Sequence, residues 1–244
     1  MSKKIVEDFL SLISFLTIIP TGYYNIEGAS NALYLSPILG IIEGSIIGLI
    51  ALLLKFNPLV NGSILIAIHI IITGGLNLDG FADYSDVIGS RKKGDDAIKI
   101  LKDPRKGSFA IAFTATLIII RFSLFSSIHN IFPILFSYLS GLESAYIISY
   151  LSPIPNYQGL GSLFIKNSKN IKKITINLVI YFLILIALLL FTKIKFILLS
   201  QLSLLLIPII INDAKKRIGF VNGDVIGFTI ELVEVISLLI SVII

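Results

Sequence analysis

Apolar residues along this chain come in long runs. They fall at about 33–54, 61–78, 108–128, 131–152, 174–192, 196–212 and 225–244. Several approach or exceed the ~18 residues with which a helix crosses a bilayer. In lipid the backbone must satisfy its own polar groups, which a helix does and an open strand edge does not. The pattern predicts an all-α, polytopic integral membrane bundle of about seven transmembrane helices. The stretch from Phe9 to Pro20 is apolar but short for a span, and reads as a re-entrant or interfacial helix. No clear internal repeat is visible, and residues 1–244 read as a single integral membrane domain.

Composition strengthens this picture. The chain is 55% hydrophobic and 14% charged, with a mean hydropathy of +0.95, where a soluble domain carries roughly 25% charged residues. There is no cysteine, so disulfide and thiol chemistry are excluded. Two histidines, His69 and His129, are too few for a histidine-built metal site. His69 lies alone in mid-span, where a core role or a hydrogen bond to a neighbouring helix is the expectation. The net charge of +5 is no sign of nucleic-acid binding, because the basic residues lie in loops between spans and set orientation. With the N-terminus in the cytoplasm and residues 9–20 not crossing, segments 79–107, 153–173 and 213–224 share the cytoplasmic side. Those segments and the N-terminus hold all of the 20 Lys and Arg except Lys55, Lys193, Lys195 and Arg121. That asymmetry favours seven spans with the C-terminus outside. It also places the expected active-site segments, about 77–107, 153–173 and 213–224, on the cytoplasmic face.

The charge that remains is concentrated. In GGLNLDGFADYSDVIGSRKKGDDAIKILKDPRKGSFA, residues 74–110, Asp79, Asp83 and Asp86 are spaced i, i+4, i+7. On a helix they share one face, where like charges repel. A hard divalent cation such as Mg²⁺ is a natural counterweight, held by carboxylates and substrate phosphates. The plainer readings are a solvated cap at the membrane boundary, or a tight Asp79-Gly80 turn that takes Asp79 off the face. Downstream, KDPRKG offers Lys102 and Arg105 to phosphate oxygens, and Gly107 and Ser108 offer free backbone N–H groups to an anion. Arg91, Lys92 and Lys93 read as simple membrane anchors. A second acidic set, Asp224, Glu231 and Glu234, lies in NGDVIGFTIELVEV (222–235). Ionisable residues inside a span mark a function or an internal pair, and Arg121 is a possible partner for Glu43, Glu143, Glu231 or Glu234. Carboxylates and basic groups at one membrane face suit metal-assisted chemistry on a phosphate or pyrophosphate.

Along nearly its whole length the sequence resembles the cobalamin synthase family, the adenosylcobinamide-GDP ribazoletransferases. FLTIIP (15–20) is similar to that family's FLT-x-IP, and SPILGIIEG (36–44) to its PL-x-G-x-x-x-G helix. GGLNLDGFADYSD (74–86) is similar to GGLHLDGLADTAD, and KDPRKGSFA (102–110) to KDSRIGAFG. GLGSLF (159–164) and NGDVIGFTIELVEV (222–235) are similar to its GLG-x-x-F loop and TGDVLGA-x-x-EL-x-E segment. The chain departs from the pattern at Asn77, Pro104 and Asn222, which stand in place of His, Ser and Thr. It departs again at Glu143-Ser144, where Ser-Arg is common, and at Asn156, where Arg is common.

The resemblance implies an enzyme that joins adenosylcobinamide-GDP to α-ribazole or its 5′-phosphate and releases GMP. It implies that Asp79, Asp83 and Asp86 hold one or two divalent ions, with one of them taking the hydroxyl proton. Lys102, Arg105 and Gly107 would bind phosphate, and Asp224, Glu231 and Glu234 would complete the metal site or position ribazole. The partners implied are these small molecules and the bilayer, with no nucleic acid. Two other readings are weighed against it. A CDP-alcohol phosphotransferase also uses an aspartate-rich helix face, but its DG-x-x-AR motif needs an Arg that is absent after Ala82. A transporter is disfavoured by carboxylates gathered at one side, away from the midplane, and by the lack of visible repeats.

Overall fold

The computed structural model describes residues 3–243. The first two residues and the last, at the ends of the expected domain and of the expected last span, lie outside the described residues. Among the described residues every regular element is helical. In chain order they are α1 (Lys3–Leu16), α2 (Ile26–Ala32), α3 (Ser36–Leu53), α4 (Pro58–Thr73), α5 (Leu76–Ser90), α6 (Asp95–Lys102) and α7 (Ser108–Ser126). Then follow α8 (Phe132–Leu151), α9 (Leu160–Ser168), α10 (Ile171–Leu189), α11 (Ile194–Ser200), α12 (Leu206–Arg217) and α13 (Gly223–Ile243).

Six segments are long and apolar enough to cross a membrane as one helix or one continuous run: Ile26–Leu53, Ser108–Ser126, Phe132–Leu151, Ile171–Leu189, Ile194–Arg217 and Gly223–Ile243. The protein is therefore a multi-pass membrane protein. The seventh expected span, 61–78, is not one straight helix. α4 ends at Thr73, and the chain bends by 94° into α5. The cause is Gly74-Gly75, both left-handed at φ 61° and 70°, a conformation open to glycine and costly for other residues. α4 begins on Asn57, whose side chain accepts the Val60 N–H, with Pro58 at the first turn. The N-terminal apolar stretch starts its helix earlier than expected, at Lys3, and ends it at Leu16.

α8 and α13 form the centre of the bundle, packed on each other, with α3 against α8 and α5 against α13. α8 is buried on nearly every side, whereas α10 faces outward along most of its length. Small hydroxyls let α8 and α13 come close, as at membrane helix interfaces generally. Ser137 Oγ donates to the Glu234 carbonyl at 2.8 Å, and the Ser140 and Ser237 hydroxyls meet at 3.3 Å. The C-terminus of α8 is held by Lys169, whose ammonium donates to the carbonyls of Ser149, Tyr150 and Ser152. A cation at the negative end of a helix is favourable.

Candidate active site

The bend at Gly74-Gly75 turns α5 so that it packs along both α7 and α13. Asp79, Asp83 and Asp86 all lie within α5, so Asp79 stays on the helix and makes no Asp79-Gly80 turn. α5 and α13 approach closely because both are glycine at the crossing. A Cβ on Gly80 would lie 3.0 Å from the Asp224 carbonyl oxygen, and one on Gly227 3.1 Å from the Asn77 carbonyl oxygen. This contact brings Asp224, at the start of α13, within range of the charges on Asp79, Asp83 and Lys106. Asn222 holds it there, donating from Nδ2 to Asp224 Oδ2 at 2.7 Å while its own Oδ1 accepts the Val225 N–H.

The three aspartates of α5 divide in role. Lys106 places its ammonium 2.7 Å from Asp79 Oδ1 and in contact with Asp83 Oδ1. Burial pulls the Lys106 ammonium down, but the hydrogen bonds and charges of Asp79 and Asp83 outweigh it and hold its pKa above the ordinary value. Asp86 points elsewhere. It is buried, and its two oxygens accept the backbone N–H groups of Gly107 at 2.5 Å and Ala110 at 2.8 Å. Asp86 thus satisfies two donors that an α-helix leaves open at its start, at the positive end of α7. The Gly107 N–H, expected to be free for a substrate phosphate, is engaged by Asp86.

The other basic residues lie further off. Lys102, at the end of α6, is exposed and makes no ion pair or hydrogen bond among the described residues. Arg105 is folded back onto Asp103, donating from Nε and Nη2 to its two oxygens at 3.0 and 2.9 Å. These hydrogen bonds hold the Asp103 carboxyl down at about 2.

Glu231 and Glu234 do not join the cleft. Glu231 lies seven positions after Asp224, about 10 Å along the helix. Both glutamates are buried and face Arg121, whose Nη2 lies 2.9 Å from Glu231 Oε2 and 3.0 Å from Glu234 Oε2. His69 completes the cluster. Its Nε2 contacts Arg121 and lies 3.6 Å from Glu231 Oε1, and its Nδ1 is 2.7 Å from the Tyr138 hydroxyl. His69, Glu231 and Glu234 offer ligand atoms within 4.8 Å of one another, but the guanidinium of Arg121 is already the cation among them. The second acidic set is therefore split between a cleft carboxylate and an internal ion-pair cluster.

Below Asp79 and Asp224 lies a cavity of about 310 Å³ between α1, α5, α9 and α13. Tyr157 borders it from the loop before α9, its ring 4.7 Å from that of Phe220. Burial and the nearby Asp224 charge push the Tyr157 hydroxyl up to about 12, so it stays a donor. Lys106 and Tyr157 were the members of the cleft that sequence reasoning passed over. The signal for Lys106 was its place immediately before the glycine that opens α7.

The family model described as cobalamin-5-phosphate synthase matches residues 8–242. An adenosylcobinamide-GDP ribazoletransferase of Acetivibrio thermocellus is 31% identical, covering 94% of both chains. Proteins of the same name from Treponema denticola and Clostridioides difficile are 29% and 28% identical, covering 94–95% of each chain. No solved structure matches this fold. The whole-length match, together with an acidic helix facing the Asn222–Asp224 turn, places this chain in the cobalamin-5-phosphate synthase family.

Proposed function

We propose that this protein is an adenosylcobinamide-GDP ribazoletransferase, joining adenosylcobinamide-GDP to α-ribazole or its 5′-phosphate with release of GMP. Family membership and the names of the relatives support that reading. The observation that carries it is the meeting of Asp79, Asp83, Asp224 and Lys106 at the mouth of one cleft.

The donor set there suits a hard divalent cation in kind, being carboxylate oxygens, although Asp79, Asp83 and Asp224 are not among the described residues whose ligand atoms converge within 4.8 Å. The Lys106 ammonium already lies between Asp79 and Asp83, and one ammonium does not balance three carboxylates. Asp79 and Asp83 would hold the ion, with Asp224 facing them. Asp86 is committed to α7. When bound, Mg²⁺ supplies charge neutralisation to the pyrophosphate oxygens.

The residues of the chain do the rest. Lys106 meets the phosphate oxygens as a point charge. A ribose hydroxyl oxygen bonds to the phosphorus on the corrinoid side of the pyrophosphate, and the bond from that phosphorus to the oxygen of GMP breaks. The hydroxyl proton passes to Asp224, whose carboxylate is hydrogen-bonded by the Asn222 side chain alone among the described residues. GMP leaves with the electron pair of the broken bond. The cleft opens to the cytoplasm, in keeping with the basic loops on that side, and the chain works as one integral membrane domain.

The test is GMP release by membranes carrying the protein, given adenosylcobinamide-GDP, α-ribazole and Mg²⁺, with and without EDTA. Release that requires both ribazole and the metal is expected. No release with either ribazole or its phosphate, together with turnover of a CDP-linked lipid, overturns the reading.

A further inference from the structure

The cavity beneath the carboxylates has two unlike ends. Its rim carries Asp79, Asp224 and the Tyr157 hydroxyl, while its floor is built from Leu16, Leu33, Phe164 and Ile230. Leu16, Leu33, Phe164 and Ile230 are all buried, and Phe15 stacks on Phe164 with ring centroids 5.0 Å apart. The floor thus offers aromatic and branched surface, with the Asn77 amide as the buried lining side chain able to hydrogen-bond. A pocket of this size, apolar with a few convergent polar groups at one side, is the usual form of a small-molecule site.

Resting on the transferase reading, we propose that this floor is the seat of the aromatic base of the ribazole substrate, and that it selects an apolar base over a purine. Sugars aside, the substrates offer four ring systems: the corrin, guanine, the adenine of the adenosyl ligand, and the base of α-ribazole. The corrin, with its amide side chains, is far larger than a space of about 310 Å³. Guanine and adenine carry donors and acceptors along their edges, and burying them against Phe164 and Ile230 would strip their water with the Asn77 amide alone to replace it. The dimethylbenzimidazole of α-ribazole is a flat fused ring with two methyls at its far edge. With that edge on the floor, its ribose points to the rim, where the attacking hydroxyl meets Asp224. The same placement leaves the pyrophosphate with Lys106 outside the pocket. Phe164 and Ile230 are then specificity-determining residues, and they take no part in bond making.

The experiment reads binding without turnover. The chain has no tryptophan, so the fluorescence of α-ribazole itself can be followed as purified protein in phospholipid nanodiscs is titrated in, with no corrinoid present. Wild-type protein is expected to bind α-ribazole at least about tenfold more tightly than the matching α-riboside of adenine. Ile230→Phe, which fills the floor, and Phe164→Ala, which strips it, are each expected to weaken ribazole by about tenfold or more. Asp83→Asn should lose GMP release and keep ribazole binding. Equal affinity for the two ribosides in wild-type protein overturns the proposal even if neither variant folds. So does unchanged ribazole affinity in both folded variants, or a lipid acyl chain in the cavity that ribazole does not displace. If ribazole binds in this manner and no GMP is released, the pocket stands and the transferase reading fails.

Discussion

The carboxylate of Asp86 accepts the backbone N–H of Gly107 at 2.5 Å, so the helix bearing the acidic face also caps the span that follows it. Asp86→Ala removes the partner of two N-terminal donors of α7, a loss of about 1–2 kcal/mol. The expected result is a lower melting temperature with the Mg²⁺ concentration for half-maximal rate unchanged. Asp83→Asn should do the reverse, keeping its melting temperature and losing its response to Mg²⁺. A rise in the required Mg²⁺ in the folded Asp86 variant would return that residue to the metal set.

Lys106 is the basic residue that touches the acidic face. Lys106→Ala should lower kcat/KM by at least about tenfold, about 1.4 kcal/mol of barrier. Lys102→Ala should stay within about twofold, because its ammonium is exposed and unpaired among the described residues. The pH response follows from the raised Lys106 value. A lysine whose folded value is raised keeps its contact fully below the free value of 10.5 and loses it only as pH rises through the raised value. In the metal-free protein the bridge should therefore hold to about pH 10.5. A Lys106 ammonium that titrates near pH 9 in that protein, read by NMR, counts against the bridge.

The crossing of α5 and α13 sets the distance between Asp224 and the other two carboxylates. A Cβ at Gly80 would meet the Asp224 backbone at 3.0–3.1 Å, so Gly80→Leu must push the helices apart. Activity should fall by more than tenfold while the membrane-inserted fold persists, because the two faces no longer converge. Full activity in Gly80→Leu would mean that Asp224 does not act with Asp79 and Asp83.

Arg121 is the buried counterion of Glu231 and Glu234. Arg121→Met strands two carboxylates and should cost about 3–5 kcal/mol of stability, read as a fall in melting temperature in detergent. Adding Glu231→Gln and Glu234→Gln should restore most of that loss. A single Arg121→Met variant as stable as the parent would show that the cluster is already neutral without it.

The i, i+4, i+7 spacing was enough to find the acidic helix, since helical geometry alone puts Asp79, Asp83 and Asp86 near one another. It did not show that Asp86 turns to α7, because that depends on where a loop sixteen or more residues later brings its backbone. The choice of Lys102 and Arg105 over Lys106 failed to anticipate the local turn in which Asp103 captures Arg105. Apolar runs located the spans, but hydropathy does not register the bend at Gly74-Gly75, where the chain stays apolar and only φ changes sign. Arg121 was legible as some glutamate's partner. Which one it meets depends on the packing of α7 against α13, which no local pattern encodes.

The ion-pair cluster around Arg121 has a bearing on how this enzyme can vary. It fastens α13 to α7 and α4 about two helical turns below Asp224, and so works as a depth stop for that carboxylate. α13, already packed on α8 and α5, is thereby indexed at one height by charge as well as by shape. Changes that retune catalysis can therefore arise at residues that no water-soluble substrate ever reaches.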